Sequence, residues 1–234
     1  MRSVPLSILA TALVAGPLAA QRFDVASVKP NVSGEVNTVS QIHPDSLEMR
    51  NQPLLNLIRF AYSLAAYQVA GPAWLKTERY DLLAKAAGPA TPERLKTMLQ
   101  GLLSERFGLV VHRETKVVAS YRLVTGKRGL KIPPVAEAAD RIAMSRRRLH
   151  AVGASMKLLS ERLSQLLECP VDDATGVTGA FTFDLAFSLD PAGNSADPTL
   201  FEALAQQLGV TLEAEKRPVE ILVVDHAEKT PAGN

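Results

Sequence analysis

Between Leu95 and Val124 the pattern of apolar and polar positions changes period. Leu95, Met98, Leu99, Leu102 and Leu103 fall at i, i+3, i+4, i+7 and i+8, the spacing of one apolar helical face. Gly108 follows, where a left-handed C-cap favours glycine. Leu109–His112 and Val117–Val124 are rich in β-formers, with the charged run His112-Arg113-Glu114-Thr115-Lys116 between them. The pattern predicts a helix, a stop and a β-hairpin that turns at this run. Leu200–Val224 repeats the sequence of helix, glycine (Gly209) and strand pair.

The remaining chain alternates in the same way. Phe23–Lys29 has the two-residue period of a half-buried strand, residues 30–45 read as a polar loop, and Leu47, Met49 and Asn51 suggest a short strand. Pro53 opens a helix whose face is Leu54, Leu57, Ile58, Ala61 and Leu64, and Tyr80–Lys85 reads as a strand. Thr91-Pro92-Glu93 places an N-cap, a first-turn proline and a dipole-favoured carboxylate ahead of the Leu95 helix. After a Pro- and Ala-rich stretch, Leu149–Val152 predicts a strand, and Met156, Leu159, Leu163 and Leu167 a helical face. Phe181–Phe187 predicts another strand, and Asp197-Pro198 the start of the last helix.

Four landmarks hold a nearly constant offset. Asn51 and Gly153 lie 102 residues apart, as do Leu57 and Leu159; Asp81 and Asp184 are 103 apart, Gly108 and Gly209 101. The expected fold is therefore α+β, built from two tandem β-α-β-α-β-β units related by internal duplication, with an extra N-terminal strand at Phe23–Lys29. The boundaries are 1–20 for a signal peptide, 21–132 for the first unit, 133–148 for a linker and 149–234 for the second unit.

Composition narrows the function classes. The chain has 234 residues and a formal net charge of +2, without the basic excess of a nucleic-acid binder. Arg141, Arg146, Arg147 and Arg148 form its one basic cluster and read as a solvated face. Arg2, the apolar run Leu6–Ala15 and Pro17-Leu18-Ala19-Ala20 have the layout of a cleaved export signal, with no transmembrane segment in the mature chain. The expected location is periplasmic or extracellular. Cys169 is the single cysteine and reads as a small buried hydrophobe.

The strings FDVASVKPN, YQVAGPAWL, RYDLLAKA, LLSERFGLVVHRETK, GVTGAFTFDL and LFEALAQQLGVTLEAEKRPVEILVVDHAEK carry a family resemblance. They cover nearly all of the mature chain, which resembles the Solibacter-type family of uncharacterised exported proteins abundant in Acidobacteria. That resemblance implies export, and it implies no activity, cofactor or catalytic residue. In architecture alone, a helix followed by a strand pair is also similar to the small N-terminal modules of secretins and TonB-dependent receptors.

Candidate chemistry is sparse. His43, His112, His150 and His226 lack metal-ligand spacing, and no phosphate-binding glycine loop or nucleophile elbow occurs. No metal or cofactor is expected. His112 and Glu114, two apart, would share a strand face and could act as base and partner, but a hairpin turn with solvated charges explains them better. Asp172-Asp173-Ala174-Thr175-Gly176 reads as a turn rather than a cation loop. Tyr62, Tyr67, Trp74 and Tyr80 cluster in a chain with few aromatics, and are the expected binding residues if they do not form a satellite core. Two function classes result. One is a non-catalytic binding or assembly module for an unknown protein or small ligand of the cell envelope, possible roles including extracytoplasmic sensing. The other is an exported hydrolase of unfamiliar type using His112, Glu114 or Asp172.

Overall fold

A computed structural model describes residues 22–145, 147–188 and 197–233. The expected signal peptide, and Arg146 of the basic cluster, lie outside the described residues. The chain is α+β: among the described residues four α-helices are set against three sheets.

The first half begins with strands β1 (Val25–Pro30), β2 (Val39–Ile42) and β3 (Ser46–Pro53), then helix α1 (Leu54–Tyr62). A two-residue strand β4 (Val69–Ala70) and strand β5 (Arg79–Lys85) follow, then helix α2 (Pro92–Phe107) and strand β6 (Val110–Thr125). The second half contains β7 (Pro134–Val135), β8 (Arg141–Met144), β9 (Arg148–Ala154), helix α3 (Met156–Leu167), β10 (Val171–Asp173) and β11 (Ala180–Ala186). Helix α4 (Leu200–Ala203) leads through a π-turn at Leu204–Leu208 into β12 (Val210–His226).

The pairings of the two halves correspond. One sheet runs β1-β5-β3-β2, another β7-β11-β9-β8, and the third, β10-β6-β12-β4, takes two strands from each half. In that third sheet β6 and β12 pair antiparallel along almost their whole length, while β10 adds parallel to β6 and β4 parallel to β12. Two cores result. Leu54, Leu57, Ile58, Tyr80, Leu99, Leu103 and Phe107 belong to the first, which Leu222 and Val224 from the end of β12 complete. Leu149, Leu159, Leu163, Phe183, Leu185 and Leu204 belong to the second, which Leu123 from the end of β6 joins. Each half thus lends the end of its last strand to the core of the other.

Local chemistry accounts for the helices. Thr91 Oγ1 accepts from Arg94 N, with Pro92 at the first position, and Gly108 ends α2 in the left-handed region. Ser155 Oγ caps α3 by accepting from Leu158 N at 3.2 Å.

Several expectations are corrected. The charged run 112–116 is no turn: β6 passes straight through it, and β12 likewise runs unbroken from Val210 to His226. Each half is therefore β-α-β-β-α-β rather than β-α-β-α-β-β, with the expected hairpin replaced by one long strand and a short strand, β4 or β10, added after the first helix. Among the described residues no third strand pairs with the middle of the β6–β12 ribbon, which is largely exposed, so its polar residues mark solvent rather than chain reversal. Pro218, opposite Val117, is tolerated because no further strand needs its missing N–H there. The stretch 133–148 holds β7 and β8, which pair with β11 and β9. The last helix starts at Leu200, not at Pro198: Thr199 is its cap, in a reciprocal capping box with Glu202. Those hydrogen bonds hold the Glu202 carboxyl below its usual range. Asp81 does not correspond to Asp184. Its Oδ1 accepts from the bulged Asn51 N at 2.8 Å, the part that Thr182 Oγ1 plays for Gly153 N at 3.0 Å.

Candidate functional site

A polar concavity of about 420 Å³ lies in the first half, where β2 and β3 meet α1 and α2. Leu54, Leu55, Leu57, Ile58 and Ala61 turn the apolar face of α1 into the core, which leaves Asn56, Arg59, Phe60 and Ser63 along its rim. Ser40 comes from β2, Met49 and Gln52 from β3, and Lys96 from α2. Gln100 Nε2 donates to Ala61 O at 2.8 Å, joining α2 to the end of α1.

A chain of polar side chains lines one wall. Buried Gln52 donates through Nε2 to Val39 O at 3.1 Å and Ser40 Oγ at 2.9 Å, and its Oε1 accepts from Asn56 Nδ2 at 3.0 Å. Arg59 Nη1 donates to Asn56 Oδ1 at 3.4 Å, while Arg59 Nε is buried with no hydrogen-bond partner. Lys96 Nζ donates to Ser63 Oγ at 2.9 Å and stands 5.9 Å from the centre of the Phe60 ring. Met49, Leu57, Phe60 and Leu64 supply the apolar part. No carboxylate is among the lining residues, so the groove has two cations and hydrogen-bonding groups without a built-in counter-charge.

The four aromatic residues expected to bind do not form one surface. Tyr80 is a core residue, 1% exposed, edge-on to Phe107 at 4.8 Å, with its hydroxyl donating to Lys229 O at 2.7 Å. Burial pushes its phenol up to about 12. Trp74 is half-buried against the first core, and Lys229 Nζ lies 5.8 Å from its ring centre. Tyr62 also packs on that core, and burial raises its phenol although Arg113 pulls it down. Tyr67 lies in a 3-10 turn at Ala66–Gln68 whose Gln68 Nε2 donates to Glu220 O. Burial raises the Tyr67 phenol, and the fields of Arg217 and Cys169 also reach it. Burial raises the Cys169 thiol too, against thiolate reactivity.

The hydrolase candidates are dispersed. His112 Nδ1 bonds Asp225 at 2.8 Å, Glu114 pairs with Lys116, and Asp172 pairs with Arg217. His150 Nδ1 meets Asp184 at 2.9 Å in the other half. Both histidines are about half exposed, and no serine, threonine or cysteine hydrogen-bonds to either among the described residues. Asp173 Oδ1 accepts from Thr175 N and Oγ1, the expected turn. No group of three or more His, Cys, Asp or Glu that could hold a metal occurs among the described residues.

The groove was not foreseen from sequence, although one signal was present. Arg59 is the one charged residue between Arg50 and Lys76, a long interval in which an unneutralised charge stands out. Lys96 belongs to the polar side of α2, and only folding brings it beside α1.

No helix among the described residues is long and apolar enough to cross a membrane. No curated protein and no solved structure matches the chain. A family model does match, over residues 55–227, from the start of α1 to the end of β12 and so across both halves. The chain therefore belongs to that family, DUF3738, whose description is a protein of unknown function.

Proposed function

We propose that this protein is an exported, non-catalytic binding module that takes a small ligand of the cell envelope in the groove between β3, α1 and α2. The observation that carries the reading is the groove itself: a concavity with paired hydrogen-bonding groups and two cations lacking an acidic neighbour. The His112–Asp225 and His150–Asp184 pairs that a hydrolase would use stand apart, each about half exposed and, among the described residues, without a hydrogen-bonded nucleophile. Export rests on the Arg2 and Leu6–Ala15 pattern, and the Solibacter-type assignment on the strings quoted above. The correspondence of pairings between halves supports descent from one duplicated unit.

The test uses the chain from residue 21 onward. It is first offered chromogenic carboxylic esters, phosphate esters and glycosides, and then small-molecule extracts of the native envelope followed by thermal unfolding. A raised unfolding temperature without turnover is the expected result. Turnover that disappears in His112→Ala would overturn the proposal in favour of a hydrolase.

A further inference from the structure

The geometry points to a singly charged organic acid with an apolar body as the ligand class of the groove at Arg59 and Lys96; this rests on the binding reading above and specifies it. Three features lead there. The first is the charge balance. Among the described residues neither Arg59 nor Lys96 has a carboxylate within ion-pairing distance, although such pairs form elsewhere, as at Lys76–Glu168 and Arg113–Glu220. The second is the Arg59 guanidinium. It lines the groove with its Nη1 held by one long bond of 3.4 Å to Asn56 Oδ1, so an incoming oxyanion would gain charge-assisted hydrogen bonds from the fork geometry arginine presents. The third is the lining. Phe60 and Leu64 lie half-buried beside these cations, so an acid with a hydrocarbon or aromatic portion would cover apolar surface while its charged end meets Arg59 and Lys96.

The second half provides a contrast. Glu161 is the sixth residue of α3, as Arg59 is the sixth of α1, and the concavity beside it is lined by Glu161, Asp172 and Asp173 with Lys157. An anion that suits the first half would be repelled by the second. The groove also lacks the glycine-rich run of backbone N–H groups that cradles phosphate, which favours a monoanion over inorganic phosphate.

The test follows backbone and arginine side-chain resonances of isotope-labelled protein during titration with benzoate, benzamide and inorganic phosphate. Benzoate is expected to shift signals of residues 56–64, Lys96 and Arg59 Nε, while benzamide and phosphate leave them in place. Arg59→Gln is expected to weaken benzoate binding about tenfold or more, the loss of a hydrogen bond to a charged group. Lys96→Gln should weaken it less, and provides the readout if Arg59→Gln fails to fold. Benzamide binding as tightly as benzoate in the groove would overturn the choice of an acid while leaving the groove a binding site. Phosphate binding more tightly than benzoate would overturn the apolar body. Benzoate shifts scattered over the surface, or unchanged by both substitutions, would overturn the site.

Discussion

At the junction between β3 and α1, Asn51 adopts φ 55, and at the junction between β9 and α3, Gly153 adopts φ 52. Both positions fall where the pairing register slips, β3 against β5 and β9 against β11. The same left-handed bulge is filled differently because different chain lies over it. Asn51 Nδ2 donates to Glu35 O at 2.7 Å and Asn37 O at 2.8 Å, fastening the long loop between β1 and β2. Over Gly153 the segment 137–139 approaches so closely that a Cβ would fall on Glu137 O and Ala139 N. Asparagine tolerates the left-handed region and adds an amide; glycine alone leaves room for a backbone. A further divergence concerns the second helix. α2 has sixteen residues and carries Lys96 to the groove, whereas α4 has four and completes its course as a π-turn. The cationic groove of the first half is thus framed by β2, β3, α1 and α2, whereas the acid-lined hollow of the second lies elsewhere in its frame, between α3 and β10.

The largest expected effect compares the helices of this divergence. Leu204, in the π-turn, is fully buried, while Leu102 of α2 retains 7% exposure. Leu204→Ala and Leu102→Ala should each lose ~2–5 kcal/mol in urea melts, with Leu204→Ala the more damaging because its site has less freedom to collapse or admit water. Equal losses would mean that the π-turn packs no more tightly than a regular helix. Next come the bulges. Gly153→Ala is expected to cost about 2–4 kcal/mol, since the left-handed strain and the collision with 137–139 add together. An unchanged urea midpoint in Gly153→Ala would show that β8 and its lead-in lift away at little cost, breaking the distinction between the two junctions.

A smaller effect separates the cores. Tyr80 lies across from Gln52 beside the first bulge, and the corresponding place beside the second, across from Ala154, is Phe181. Tyr80→Phe should lose about 1 kcal/mol at neutral pH, the net value of its hydrogen bond to Lys229 O. Burial raises the folded phenol to about 12, above the ~10 of an unfolded chain. The folded state then holds this proton more tightly, so the contribution is complete below pH ~10 and is lost as pH rises towards 12. Stability measured from pH 9 to 12 should fall less steeply in Tyr80→Phe than in the parent protein. Parallel curves would remove the first core's alkaline sensitivity. The smallest effect belongs to His112→Ala, whose Asp225 pair is about half exposed; a loss of roughly 0.5 kcal/mol or less is expected. A loss several times larger in the urea melt would mean that the ribbon depends on this pair.

The helices were largely legible because their signals are local. The apolar faces of α1, α2 and α3, the cap Thr91, and the terminators Gly108 and Gly209 could all be read within one or two turns of chain. The 112–116 run misled for an equally physical reason. Alternation in a strand reports a buried face, and the middle of the β6–β12 ribbon has little buried face to report. β4 and β10 are too short for any period to show. The aromatic cluster misled because tyrosine serves a core as well as a surface: Tyr80 found an acceptor at Lys229, far along the chain, that no local pattern could indicate.

By itself the sequence determined the α+β class, the faces and ends of most helices, and the recurrence of like elements about a hundred residues apart. Those properties follow from side-chain period and from backbone preferences at caps, which act between near neighbours. Only the tertiary structure decided that β6 and β12 pair with each other, that each completes the other half's core, and that Arg59 and Lys96 share a groove. These depend on which distant apolar faces find cover and on which charges are left without a partner when they do, and neither is recorded in any short stretch of chain.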